Sequence, residues 1–293
     1  MIEGACPPDV QLHLSVFQAA VLGLTQGLSE FLPISSSGHL ILVPWAADWR
    51  EVYCAKEGNK FFDVALHIGT FAGAVAYLRR DLWALVVAWF GSVARRSVRS
   101  PQERLAWFLV LSAVPSAIAG AAFEDVITEH LGQPWQIAVF LAVFGVLLWW
   151  VDKRGVQATG YEDLRRGQVL AMSLAQAAAL MPGVSRSGAT ITAARATGVS
   201  RDAAARFSFL MSLPVILGAT LYSGLSMSGG GLAGQEAQFA VGIVASGISG
   251  AAAVFGVLSF LRRHSFGAFA VYRLAAAAVI LGLVATNVRS ATL

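Results

Sequence analysis

Apolar residues fill long stretches of this chain, and short polar segments separate them. Six stretches reach the roughly 17–25 residues that a helix needs to cross a bilayer. They cover residues 62–79, 105–123, 135–151, 207–226, 239–261 and 269–287. The pattern predicts an all-α polytopic membrane protein with six transmembrane helices.

Three shorter apolar segments need a different interpretation. Segments 14–25 and 168–181 are too short to span and lead directly into polar residues. Helix breaks at membrane depth are tolerated only where protein buries them or where they line a wet cavity. We therefore expect each of the two segments to open a re-entrant helical hairpin. Segment 82–94 is predicted to lie in the membrane interface, with Trp83 and Trp89 as anchors.

The composition agrees with a membrane protein. The chain is 56% hydrophobic and 13% charged, with a mean hydropathy of +0.65, whereas a soluble domain carries about 25% charged residues. The net charge of +4 is accounted for by arginine-rich inner loops, so no nucleic-acid partner is inferred. Residues 1–293 are predicted to form a single integral membrane domain.

The distribution of Lys and Arg between the loops predicts the orientation. These residues are concentrated in 79–104, 152–166 and 262–266, which the positive-inside rule places in the cytoplasm. Loops 124–134 and 228–238 carry acidic residues and no Lys or Arg, so we expect them outside. The six spans then alternate across the membrane without conflict.

Two polar motifs interrupt the apolar pattern and resemble each other. One begins at Gln26 and the other at Gln176, and in each a Gly follows twelve residues later, with Pro and Ser between. The predicted orientation makes the first hairpin begin and end outside and the second begin and end inside. This predicts an inverted-topology repeat, whose site lies where the two interrupted segments meet. The first repeat covers 10–151, the second 167–288, and 152–166 forms a cytoplasmic linker.

The first motif combines a carboxylate, a hydroxyl and an imidazole. Gln26 and Glu30 are four residues apart and share one helix face, where a carboxylate binds a divalent cation or handles protons. Pro33 ends that helix. Ser36 and His39 follow at a spacing of one helical turn, and a nucleophile beside a base is the pattern of covalent catalysis.

The second motif offers an anion cradle. Arg186 carries a planar fork that suits phosphate oxygens, although Glu30 is an alternative partner in a structural ion pair. The predicted phosphate-binding hydroxyls are Ser185, Ser187 and Thr190, together with Ser35 of the first motif. The combined set suits phosphoryl transfer, where catalysis is mostly positioning and charge neutralisation.

Both motifs resemble the signatures of a known family. Gln26-x-x-x-Glu30-Phe-Leu-Pro-Ile-Ser-Ser-Ser-Gly-His39 is similar to the (E/Q)xxxE signature of bacterial undecaprenyl-pyrophosphate phosphatases, the bacitracin-resistance family. Pro182 to Thr190 matches that family's PGxSRSxxT signature at every fixed position. The resemblance extends over nearly the whole chain and includes the segment Phe269-Ala-Val-Tyr-Arg273.

The resemblance implies an undecaprenyl-diphosphate phosphatase. Such a hydrolase converts undecaprenyl diphosphate to the monophosphate and inorganic phosphate, which recycles the lipid carrier of peptidoglycan synthesis and confers bacitracin resistance. It implies a Mg²⁺ or Ca²⁺ requirement, with Glu30 and Gln26 as metal ligands, and competition with bacitracin for the substrate. It implies a site in the bacterial inner membrane that opens outward, and a homodimer is left open. The implied functional residues are Glu30, Ser36, His39, Ser185, Arg186 and Thr190.

Two other functions are alternatives for this pattern. A polyprenyl-phosphate transporter or flippase also uses inverted repeats with broken helices, but Glu30, Ser36, His39 and Arg186 together exceed what anion binding needs. The second membrane phosphatase class, the type-2 phosphatidic acid phosphatases, requires an Arg-Pro pair that this chain lacks. Whether Ser36 or His39 is the nucleophile stays open at this point.

The orientation is tested by cysteine labelling in intact cells, in a variant without Cys6 and Cys54. A cysteine at position 130 is expected to react with a membrane-impermeant reagent from outside, and one at position 97 to be protected. The opposite pattern would reverse the predicted orientation.

Overall fold

The computed structural model describes residues 12–226 and 234–293, which are almost entirely helical. Within these two ranges, β-type pairing consists of one isolated parallel bridge between Thr159 and Val199. The helices are α1 (Val16–Phe31), α2 (Ser36–Ala47), α3 (Arg50–Tyr53), α4 (Lys56–Arg95), α5 (Pro101–His130), α6 (Pro134–Arg154), α7 (Arg166–Ala178), α8 (Arg186–Ala196), α9 (Arg201–Ser226), α10 (Glu236–Leu261) and α11 (Gly267–Ala285).

Six of these helices, α4, α5, α6, α9, α10 and α11, are long and apolar enough to cross a membrane. Five of them contain one predicted span each. The sixth, α11, contains the predicted span 269–287 except for its last two residues. The prediction of a six-span, all-α, multi-pass membrane protein is therefore confirmed. Long apolar runs are readable from sequence because the bilayer sets the minimum length of a spanning helix.

Segment 82–94 is not a separate short helix, and its location in the membrane interface stays a prediction. The segment is the second half of α4, a continuous helix of 40 residues. At about 1.5 Å per residue, α4 is about 60 Å long, twice the hydrocarbon thickness of about 30 Å. No Pro lies between 79 and 95 to end the helix. Trp89 packs against Trp107, with ring centroids 5.7 Å apart, whereas Trp83 is exposed.

Two helix pairs are interrupted by short non-helical breaks. Residues 32–35 separate α1 from α2, and residues 179–185 separate α7 from α8. Each second helix is preceded by an N-cap Ser with a positive φ, Ser35 at 78° and Ser185 at 74°. Their hydroxyls cap the N–H groups of Gly38 at 3.3 Å and Gly188 at 3.1 Å.

This shared local geometry is consistent with an internal repeat, because the matching positions are 150 residues apart in the sequence. It also explains why Ser occupies both positions, since a Ser oxygen satisfies a helix N–H that would otherwise lack a partner. The inverted orientation of the two repeats, their boundaries and the re-entrant character of the two helix pairs stay predictions.

A buried ion-pair cluster connects α8, the second helix of the pair α7 and α8, to neighbouring helices. The Asp152 carboxylate at the end of α6 accepts from Arg195 Nε at 2.8 Å and from Arg201 Nε at 2.9 Å. It also accepts from the Phe266 N–H at 3.1 Å. The cluster therefore joins α6, α8, α9 and the start of α11, and it fixes the end of α8 opposite Arg186.

Small residues allow α10 to pack closely against both α1 and α4. A Cβ atom added at Gly27 of α1 would overlap Ser249 of α10, and one added at Gly73 of α4 would overlap the Gly247 carbonyl. Close backbone approach through small residues is a common means of helix association in membranes. The arrangement places the C-terminal end of α1, which carries Glu30, between α10 and the break residues.

Gly73→Ala is expected to destabilise the protein because the new methyl group meets backbone rather than a movable side chain. Overpacking of this kind costs about 1–3 kcal/mol. The measurement is the melting temperature of the purified protein in detergent. Gly256→Ala is the matched control, since a Cβ at Gly256 of α10 meets nothing within 4 Å. Equal melting temperatures for the two variants would contradict the close α4–α10 contact.

Candidate active site

The Glu30 carboxylate joins the two polar motifs. It lies in the last turn of α1, and its side chain is only 1% exposed. Oε1 pairs with Arg186 Nη2 at the start of α8. Oε2 accepts from Ser36 Oγ at 2.6 Å and from Gln26 Nε2 at 3.1 Å. The structure thus brings Gln26, Ser36 and Arg186 together around the Glu30 carboxylate.

The partner of Ser36 is Glu30. Ser36 is the first residue of α2, half-buried, and its hydroxyl points back across the break to α1. A separation of 2.6 Å is typical of a strong hydrogen bond from a hydroxyl to a carboxylate. Glu30 is therefore placed to accept the Ser36 proton, the task of a general base.

His39 faces a different helix from the one Ser36 faces. Its Nδ1 lies 2.7 Å from the Ser35 carbonyl oxygen, and its Nε2 lies 2.7 Å from the hydroxyl of Tyr272 on α11. Because a carbonyl only accepts, Nδ1 carries the proton and Nε2 accepts from Tyr272. The expected Ser36–His39 hydrogen bond is not among the contacts of the described residues, because α2 turns the two side chains toward different neighbours.

Two of the predicted phosphate-binding hydroxyls hold the breaks together. Ser35 Oγ accepts from the Gly183 N–H at 3.0 Å, in addition to capping its own helix. Ser187 Oγ donates to the Leu32 carbonyl at 3.0 Å. Each bond therefore runs from one motif to the other, and both serines are buried. Their role as phosphate ligands stays a prediction, and these bonds assign them a structural role in addition.

The other two hydroxyls are also buried and hydrogen-bonded. Ser185 Oγ caps α8. Thr190 Oγ1 lies 2.6 Å from the hydroxyl of Ser208 on α9 and donates within its own helix. Thr190 thus faces α9, while the side chain of Arg186, one turn earlier, reaches Glu30. Phosphate binding by Ser185 and Thr190 likewise stays a prediction.

Arg186 makes the ion pair with Glu30 that the sequence offered as an alternative to phosphate. Its side chain is 21% exposed, more open than the carboxylate it contacts. A guanidinium carries five N–H donors in a fixed fork, and the contact to Glu30 is made through Nη2. The remaining N–H donors of Arg186 leave room for a second anion on its exposed side. Phosphate binding by Arg186 therefore stays a prediction, and it is compatible with the ion pair to Glu30.

Arg273 is a site residue that sequence reasoning noticed only through the family resemblance. It is 0% exposed and lies on α11. Its guanidinium donates to break carbonyls of Pro33, Gly183 and Val184 at 2.9–3.2 Å. It also donates to the carbonyls of Phe140 and Leu141 on α6 at 3.1–3.2 Å. No hydropathy or spacing signal predicts this contact, because its partners are backbone atoms far apart in sequence.

The residues beside Glu30 fit a weakly held divalent cation. Gln26 is fully buried, and its Oε1 has no hydrogen-bond partner among the described residues. No group of three or more His, Cys, Asp or Glu in the described part of the chain is arranged to hold a metal. Gln26 and Glu30 thus suit an ion such as Mg²⁺, which takes one or two carboxylates and completes its shell with water and substrate phosphate oxygens.

Fold and site together define a polytopic helical membrane protein with a buried carboxylate, hydroxyl and guanidinium at one point. The family model described as bacitracin resistance protein BacA matches residues 19–279, and the chain belongs to this family.

Relatives named undecaprenyl-diphosphatase match nearly the full length of the chain. That of Desulforudis audaxviator is 42% identical over 92% of this chain and 96% of its own. That of Pelobacter propionicus is 41% identical over 94% and 99%, and that of Thermomicrobium roseum 42% identical over 92% and 98%.

Arg273→Met is expected to destabilise the protein strongly, because each carbonyl left without a donor costs about 1–3 kcal/mol. The measurement is the melting temperature in detergent. Arg263→Met, at an exposed position of the loop before α11, is the matched control and is expected to melt like the unaltered protein. A melting temperature for Arg273→Met equal to that of the control would show that the five carbonyls do not depend on the guanidinium.

Proposed function

We propose that this protein hydrolyses undecaprenyl diphosphate to undecaprenyl phosphate and inorganic phosphate. The observation that carries the proposal is the short Ser36–Glu30 hydrogen bond beside Arg186, which provides a nucleophile, a base and an anion partner. The names of the relatives support the substrate. The six apolar helices support a substrate that is presented within a bilayer.

The reaction would recycle the lipid carrier of peptidoglycan synthesis, and bacitracin, which binds the same lipid, would compete for it. The description of the matching family supports the resistance role. We place the protein in the bacterial inner membrane with the site open to the extracytoplasmic face. This orientation rests on the distribution of Lys and Arg between the loops.

In the proposed mechanism, Glu30 takes the Ser36 proton and the Ser36 oxygen attacks the terminal phosphorus. The bond from that phosphorus to the bridging oxygen breaks, and the monophosphate leaves with the proton that Glu30 held. Water then transfers its hydroxide to the phosphoserine and a proton to Glu30. Glu30 returns this proton to Ser36 as inorganic phosphate leaves.

Arg186 stabilises the negative charge that develops on the transferred phosphoryl group, the contribution that dominates this class of reaction. A divalent cation held by Glu30 and Gln26 would neutralise further charge on the diphosphate. His39, which Tyr272 holds beside the break, is proposed to orient the substrate or its attacking water. The contact between Ser36 and Glu30 favours Ser36 as the nucleophile over His39.

Phosphate release from undecaprenyl diphosphate by the purified protein tests the activity. Ser36→Ala is expected to be nearly inactive, because it removes the nucleophile. Ser37→Ala, at the exposed neighbouring position, is the matched control and is expected to retain most activity. Rapid quenching with terminally labelled substrate is expected to trap an acid-stable phosphoserine.

Two results would contradict this reaction scheme. An acid-labile phosphohistidine, or substantial turnover in Ser36→Ala, would exclude Ser36 as the nucleophile. No phosphate release by the unaltered protein, together with movement of polyprenyl phosphate across reconstituted vesicles, would replace the enzyme by the transporter alternative.

Arg186→Lys is expected to lose activity even though the positive charge stays, because an ammonium cannot reproduce a planar fork. Loss of such a contact is worth roughly 2–5 kcal/mol, which corresponds to a rate about 30-fold to several thousandfold lower. The measurement is kcat/KM for phosphate release.

Arg206→Lys is the matched control, because Arg206 makes a two-point ion pair with Asp81 that is separate from the site. It is expected to stay near full activity. Near-normal activity in Arg186→Lys would limit Arg186 to its ion pair with Glu30.

A further inference from the structure

We propose that His67 is a third ligand of the divalent cation at Glu30 and Gln26. The inference deepens the proposed function and rests on it for the presence of the cation. His67 belongs to neither polar motif and lies on α4, the long helix that packs beside α1. Its ring lies beside the Glu30 carboxylate, so the three side chains come from two helices, α1 and α4.

The His67 ring is held in the orientation that metal binding needs. Nδ1 lies 2.7 Å from the Asp63 carbonyl oxygen, one turn earlier on α4. A carbonyl only accepts, so Nδ1 carries a proton, and in the corresponding neutral tautomer the lone pair is at Nε2. A histidine that binds a metal usually donates its other ring N–H to a carbonyl or carboxylate in this way.

In the neutral tautomer, the lone pair of His67 faces a negative group. Nε2 lies 3.7 Å from Glu30 Oε2, with the imidazole 32% exposed and the carboxylate 1% exposed. Two electron-rich atoms facing each other repel unless a positive charge lies between them. An ion that sits about 2.0–2.2 Å from each ligand accommodates a separation of up to about 4 Å, so the gap fits a shared cation.

Gln26 provides an independent observation that points to the same cation. Its amide turns the nitrogen toward Glu30 Oε2 at 3.1 Å and leaves Oε1 buried without a partner among the described residues. A half-turn of the amide exchanges the two atoms. It would then direct an oxygen toward the point that Glu30 and His67 share, and the orphaned acceptor would gain a partner.

The resulting donor set consists of one carboxylate oxygen, one amide oxygen and one imidazole nitrogen. Substrate phosphate oxygens and water would complete the shell. Imidazole nitrogen suits transition ions better than Ca²⁺, so this set favours an ion that accepts both nitrogen and oxygen, such as Mn²⁺. The alternative is that a protonated His67 simply forms an ion pair with Glu30, in which case the cation gains no nitrogen ligand.

The test uses Mn²⁺ alone as the probe, with the full-length protein in detergent and no substrate. Pulsed electron paramagnetic resonance is expected to detect nitrogen coupled to bound Mn²⁺ in the unaltered protein, and to lose this coupling in His67→Gln. The Mn²⁺ dissociation constant of His67→Gln is expected to rise about tenfold or more, since loss of even an outer partner costs 10–100-fold. His264→Gln, in the loop before α11, is the matched control and is expected to keep both properties.

Nitrogen coupling that is absent in the unaltered protein, or that survives in His67→Gln, overturns the proposal. If His67→Gln does not fold, ¹⁵N-histidine labelling of the unaltered protein gives the same answer about a histidine ligand, and an unchanged spectrum overturns it. Phosphate release is measured in parallel. Hydrolysis without nitrogen coupling rejects only the His67 inference, whereas nitrogen coupling without hydrolysis rejects only the proposed function.

Discussion

The structure depends on hydrogen bonds to the backbone groups at the buried ends of four short helices, α1, α2, α7 and α8. A helix break within apolar surroundings exposes carbonyl and N–H groups that no water satisfies, and each costs several kcal/mol if it stays unpaired. Arg273 supplies donors to three carbonyls of the two breaks, Pro33, Gly183 and Val184, and to two carbonyls of α6. Ser35 accepts from the opposite break. These contacts fix the distance between the two motifs, and the positions of Glu30 and Arg186 follow from that distance.

The site itself is a buried ion pair, which is stable only because both charges are paired. Removing one partner of such a pair is strongly destabilising, and a site of this kind therefore responds to a ligand that offers a replacement charge. A phosphate group offers that replacement to Arg186, and a cation offers it to Glu30. The electrostatics of one carboxylate and one guanidinium are therefore compatible with the proposed substrate, a lipid diphosphate with its divalent ion.

The polar motifs contain both a residue that contacts the Glu30 carboxylate and residues that stabilise the breaks. Ser36 contacts the Glu30 carboxylate, whereas Ser35, Ser185 and Thr190 are hydrogen-bonded within the breaks and to α9. A serine-rich signature looks uniform in sequence, but its members differ in the direction that each side chain takes when the helix restarts. His39 illustrates the same point, since Tyr272 holds it away from Ser36.

The sequence by itself determined the six spans, the positions of both breaks and the polar residues that each motif carries. These features are local, because the bilayer sets helix length and Pro, Gly and Ser set where a helix stops and restarts. It did not show that segment 82–94 continues α4, because nothing in the local pattern indicates where that helix ends. Only the tertiary structure decided that Ser36 pairs with Glu30 and that His67 lies beside it. Those contacts join helices far apart in the chain, and packing, not spacing, determines which side chains touch.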